Sequence, residues 1–113
     1  MVNYARERAM EVLKTARTAI LATAGIAGLQ VSEFPCEAVE LDLYLLLPRT
    51  SDHLFNLEQD GRVALHTDQW ELTGKGRALS LKEERPEIAL LPKIGTSWYV
   101  PVKIVPRQIQ ILR

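Results

Sequence analysis

The stretch VELDLYLLLPRTSDHLFNLEQDGRVALHTD, residues 39–68, decides the reading of this chain. Its first part, LDLYLLL, alternates and then becomes continuously apolar. A strand of this kind is buried on both faces, one in a core and the other against a partner. Its last part, RVALHT, is a second strand-like run. Between them TSDHLFNLEQDG has the marks of one short helix. Thr50 or Ser51 caps it, Gly61 ends it, and Leu54 and Leu57 face inward with Phe55 beside them. Strand, capped helix and strand therefore stand in direct succession.

The pattern continues outward on both sides. After residue 68, Asp68 and Gln69 form a tight turn into WELTGKGRALSL, a long fifth strand. Gly74 and Gly76 let that strand bend, and Gly76 is expected where a side chain would strike a neighbouring backbone. KEERPEIALLPKIG connects onward and holds a helical turn between Pro86 and Leu91. SWYVPVKIVPRQIQIL closes the chain as a strand pair or one bent strand. Val102, Ile104, Ile109 and Ile111 alternate on either side of Pro106. Before residue 39, PCEAVE reads as an edge or a bulge at Pro35. LQVSEF and TAILATAG form a hairpin through the turn GIAG. Ala5, Ala9, Val12, Leu13 and Ala16 recur at helical spacing, which predicts an amphipathic helix from about Asn3 to Ala16. The sum is a mainly β chain, a small barrel with a few short helices, read as one domain over 1–113.

Composition narrows the function classes. Fourteen basic residues balance fourteen acidic ones, so no cationic excess exists to neutralise a nucleic-acid backbone. No run is apolar enough to span a membrane, and the charged start MVNYARERAMEVLKTAR is unlike a signal peptide. The expectation is a cytoplasmic protein without nucleic-acid or membrane partners. Cys36 is the single cysteine and reads as a small half-buried hydrophobe. His53 and His66 lie on different elements with no ligand spacing around them, so no metal site is expected. His66 reads as a structural or surface residue. GIAG and GKGRA lack the spacing of phosphate loops, and no catalytic side chain is identified.

Arg49, Thr50 and Ser51 are the residues with binding chemistry. A helix start offers free N–H groups, and an arginine fork with two hydroxyls could complete a phosphate cradle. The same hydroxyls could equally be helix caps without any ligand. Tyr44, Trp70 and Trp98 are read first as packing aromatics.

The ordered set of AILATAG, VELDLYLLLPRTSDHLFNLEQDGRVALHTD, WELTGKGRAL and VKIVPRQIQIL resembles the FMN-binding split β-barrel proteins, the pyridoxamine 5′-phosphate oxidase-like family. The resemblance runs from about Thr18 to Arg113. It implies a split β-barrel and a homodimer with FMN, a small-molecule ligand, at the subunit interface. It implies an oxidoreductase of unspecified substrate. Carried over by position, Arg49, Thr50, Ser51 and His53 would hold the flavin phosphate, and Trp70 would stand near the ring. Asp52 and His53 occupy places where the family carries basic residues. That departure keeps a second reading open, a dimeric barrel serving as a binding or interaction module without flavin.

Overall fold

The computed structural model describes residues 4–79 and 98–112, and the expected helical turn between Pro86 and Leu91 lies outside them. Six antiparallel strands close into a barrel in the order β1-β2-β3-β6-β5-β4. They are β1 (Thr18–Thr23), β2 (Gln30–Val39), β3 (Asp42–Pro48), β4 (Arg62–His66), β5 (Trp70–Ala78) and β6 (Tyr99–Ile111). Helix α1 (Tyr4–Leu13) precedes them, and α2 (Asp52–Gln59) joins β3 to β4.

Alternation explains the barrel wall. In β5 every second residue is buried from Trp70 to Gly76, and in β1 Ala19, Leu21 and Thr23 point inward. Leu21, Leu43, Leu45, Leu47, Leu65 and Ile104 fill the centre. Each such leucine withdraws its side chain from water, worth roughly 1.5–3 kcal/mol apiece. Leu13, at the end of α1, is fully buried in the same cluster. Ala5, expected on the inner face, is exposed, and the helix stops at Leu13 short of Ala16. There Thr15 turns its N–H and its hydroxyl back to the Val12 carbonyl, at 3.1 and 2.7 Å. Only the last turn of α1 therefore docks.

Several elements differ from the expectation in instructive ways. PCEAVE is no separate edge. β2 is one strand that changes neighbours at Pro35, pairing with β1 over Gln30–Pro35 and with β3 over Cys36–Val39. Proline lacks a ladder donor, which suits the point of exchange. The second face of β3 is covered by its own chain: Tyr44 packs with Leu79 and Val39. The apolar run of β3 thus gives no argument for a partner. Helix α2 buries His53, Asn56 and Leu57, leaves Leu54 half-buried and exposes Phe55. It ends at Gln59, where the Asp60 N–H bonds the Asn56 carbonyl, so Gly61 is not its terminator. Gly61 instead lies against β5, its carbonyl accepting from the Gly76 N–H at 2.7 Å.

β6 is a single strand with one irregularity. Thr73 of β5 faces Gln108, but the next residue, Gly74, faces Pro106. Arg107 is therefore the extra residue of a β-bulge. The bulge rests on Gly74: a Cβ there would collide with the Val105 carbonyl oxygen. The atoms nearest a Cβ at Gly76 would be side-chain carbons of Val63, Ile104 and Leu57, at 3.2–3.4 Å. The close backbone approach expected at Gly76 belongs to Gly74.

Candidate functional site

The turn that opens α2 is built for structure. Ser51 is extended (φ −66, ψ 132) and its hydroxyl oxygen accepts the His53 N–H at 3.3 Å, an ordinary helix cap. Arg49 and Thr50 are exposed, and the Arg49 N–H donates to the Trp98 carbonyl. His53 does not face solvent. Its ring is buried, edge-on to Phe34 with centroids 5.3 Å apart. Nδ1 lies 2.8 Å from the Thr23 hydroxyl and Nε2 lies 3.1 Å from the Ser32 hydroxyl.

The Asn56 amide also donates to Thr23 Oγ1, at 3.1 Å. Both ring nitrogens are engaged by hydroxyls, each of which can donate or accept. Burial lowers the His53 pKa below the ordinary histidine value, with Asp52 pulling weakly the other way. A neutral ring with both nitrogens engaged has no donor left for a phosphate. Asn56 completes the cluster: its Oδ1 accepts from the Ala27 N–H at 3.0 Å and its Nδ2 donates to the Gly28 carbonyl at 2.9 Å. The group of His53, Asn56, Thr23 and Ser32 fastens α2 to the β1–β2 hairpin. Trp70 is also internal, with no exposed surface, so it is a core residue and offers no face to a ring at an interface. Cys36 is more deeply buried than expected. Burial, with Glu37 adding, pushes its thiol up to about 11, which makes it a poor nucleophile.

The open concavity lies elsewhere, on the outer surface of β1, β4, β5 and β6. The ladder registers align Ala22 with Val31 and Ala64, and Ala64 with Thr73. Thr73 in turn faces Gln108. These short side chains floor a groove of about 860 Å³. One row along, Ile20, His66, Glu71 and Gln110 form its polar-edged end, with His66 Nδ1 3.3 Å from a Glu71 carboxylate oxygen. In the other direction Ala22, Ala64 and Thr73 also floor a second recess of about 430 Å³. That recess is lined by Arg62, Lys75, Arg107 and Asp60. The two hollows are thus one continuous trough. From His66 to Arg62 it follows four steps of β4, about 13 Å at the usual rise per residue.

None of Arg49, Thr50, Ser51, His53 or Trp70 lines either hollow. Sequence reading missed Arg62, Lys75 and Arg107 because each looks like an ordinary exposed residue of its own strand. Pairing of β5 with both β4 and β6 brings the three together. Among the described residues no three His, Cys, Asp or Glu side chains cluster as metal ligands. No helix among them is long and apolar enough to cross a membrane.

Comparison with solved structures places the fold. The chain superposes on a candidate pyridoxamine 5′-phosphate oxidase from Listeria innocua with a TM-score of 0.71 and 14% identity, covering 96% of this chain and 98% of that one. A FAD-binding protein from Mesorhizobium loti matches at a TM-score of 0.60 and 18% identity, over 91% and 88%. The heme storage protein HutZ from Vibrio cholerae matches at 0.66 and 15%, over 93% and 92%. No family model matches the sequence, and no curated protein matches it. The architecture is the split β-barrel of these structures. At such identities the likeness shows the fold, and a fold hosts many chemistries.

Proposed function

We propose that this protein binds a flavin of the FMN type in the trough on the outer face of β1, β4 and β5, as a homodimer whose second copy covers the bound ring. The observation that carries the reading is the floor of Ala22, Ala64 and Thr73, in register across three strands. Side chains this short leave a flat surface on which a planar ring can lie against the sheet. Ile20 and Val31 flank it, exposed at 37% and 59%. These are apolar groups that a ring and a second subunit would remove from water. The polar edges of the trough supply hydrogen-bonding partners for a heterocycle: Gln108, Gln110 and the His66–Glu71 pair. A flavin held there would supply the redox chemistry. The chain's part is to bind it, orient it and keep water from its face. The FAD-binding neighbour supports a flavin on this fold, and the oxidase-like neighbour supports an oxidoreductase role.

The test is a flavin titration. FMN fluorescence should be quenched saturably on adding the protein, and sedimentation equilibrium should give twice the chain mass. Absence of saturation at millimolar FMN would refute the flavin reading. A second reading is favoured by the α2 turn, where Ser51 and His53 serve structure and Asp52 adds a negative charge. In it the barrel is a non-catalytic interaction module whose outer face meets a second copy directly. A dimer that stays colourless with every flavin would select that reading.

A further inference from the structure

We propose that the recess formed by Arg62, Lys75 and Arg107 is a phosphate-binding site, distinct from the turn that opens α2. Three observations converge on it. Arg62 and Lys75 stand directly opposite each other on β4 and β5, both pointing outward. Like charges in that relation destabilise a sheet, so the pair is a cost to the barrel alone. Next, the β6 bulge makes Arg107 and Gln108 two consecutive outward residues, where a regular strand would send one of them inward. The extra residue is Arg107, and the bulge turns it onto the same recess. Lastly, the charges are only partly balanced. Asp60 is the one acid lining the recess; it is bonded to Arg62 and also feels the charge of Lys75.

That contact also orients the site. Asp60 takes Arg62 Nε at 3.0 Å and Nη2 at 2.7 Å, which leaves Nη1 outside that contact and directs the fork. Arg62 holds the Asp60 carboxyl down at about 2, so the pair stays charged at any working pH. Among the described residues Lys75 and Arg107 form no ion pair. Three cations against one carboxylate leave two formal positive charges around a floor of Ala22, Ala64, Thr73 and Gly74. That matches a phosphate monoester in charge, and arginine forks match it in geometry. The recess lies about 13 Å along β4 from His66, so one ligand can reach both ends of the trough.

The same chemistry suits the phosphate of FMN or a free phosphate group. Naming FMN rests on the flavin reading above. The experiment separates the two sources. FMN, riboflavin and inorganic phosphate are titrated into the full chain, into Lys75→Gln/Arg107→Gln, and into Arg49→Ala. Both substituted positions of the double variant are exposed, and its melting temperature confirms folding. FMN should bind at least about tenfold more tightly than riboflavin, the scale of charge-assisted bonds to phosphate. The double variant should bind the two flavins equally, with riboflavin affinity unchanged, and Arg49→Ala should keep the preference. Added salt should shrink the preference, because the cations are exposed. If phosphate alone raises the melting temperature of wild type but not of the double variant, and neither flavin binds, the recess stands and the flavin reading fails. If both flavins bind wild type equally and phosphate has no effect, the recess is refuted while the flavin reading survives. Loss of the preference in Arg49→Ala, with the double variant unaffected, would move the phosphate to the α2 turn and overturn the proposal.

Discussion

Gly74→Ala is the substitution through which fold and site are most tightly linked. The added methyl would collide with the Val105 carbonyl oxygen and stand 2.9 Å from Pro106 Cα. Both obstacles are backbone, so no side-chain rotation relieves them. β5 and β6 must separate at the bulge, which loosens the Thr73–Gln108 register and re-aims Arg107. Overpacking of this kind costs about 1–3 kcal/mol, and the upper end applies because the obstacle is main chain. Gly76→Ala is the matched comparison. Its methyl meets Val63, Ile104 and Leu57 side-chain carbons at 3.2–3.4 Å, which can yield by a few tenths of an ångström. Loss of unfolded-state freedom offsets part of that strain, about 0.4–1 kcal/mol, so the net change at Gly76 should stay within about 1 kcal/mol. For a domain of this size 3 kcal/mol corresponds to a fall in Tm of roughly 12 °C, and 1 kcal/mol to roughly 4 °C. Thermal unfolding of the two variants by circular dichroism reads the difference directly. Gly74→Ala should also lose the preference for FMN over riboflavin while Gly76→Ala keeps it. Equal melting temperatures for the two variants would refute the assignment of the bulge, and with it the reason Arg107 reaches the recess.

The α2 anchor gives further expectations. Asn56→Leu, close in shape but unable to bond, should cost about 2–4 kcal/mol in urea unfolding, because it leaves the Ala27 N–H and Gly28 carbonyl without their partner. An effect under about 0.5 kcal/mol would mean that water replaces the amide freely. Ser51→Ala should cost about 1 kcal/mol, the usual worth of a helix cap, without altering FMN affinity. A large loss of FMN affinity there would return the phosphate to the turn. Protonation of His53 is favoured in the unfolded chain, since burial lowers its pKa in the folded one. Its contribution is therefore complete above the unfolded value near 6.5 and declines as pH falls below it. Unfolding free energy should drop between pH 6.5 and 5 in wild type, and His53→Gln should flatten that slope.

Much of this molecule was legible from residue patterns because barrel strands carry their inward faces as alternation. The β1, β4 and β5 runs are plain in the sequence for that reason, and so is the capped helix between β3 and β4. Even the bulge left a trace. Val102 and Ile104 are even-numbered while Ile109 and Ile111 are odd, and a switch of phase within one strand requires an inserted residue. The site was less legible. His53 follows an arginine and two hydroxyls, which suggests an anion site, yet helical rotation sends its ring inward to Thr23 and Ser32. Asn56 three positions later lies on that same inward face, a spacing that marks both as partners of the hairpin. Trp70 opens a strand next to a polar turn, and only the register of β5 shows that it enters the core. Arg62, Lys75 and Arg107 come from three strands, and no local pattern in any one of them records that they meet.

The most direct measurement is residue-resolved mapping of FMN binding by amide chemical shifts of the isotope-labelled protein. Saturable shifts are expected at Ala22, Ala64, Thr73 and Lys75, extending to Arg107 across the bulge, with small changes at Thr50, Ser51 and Asp52. Riboflavin should reproduce the shifts at the alanines and leave Lys75 and Arg107 unmoved. Shifts centred on Arg49 to Asp52, or no shifts on the outer face of β1, β4 and β5, would contradict this placement of the flavin.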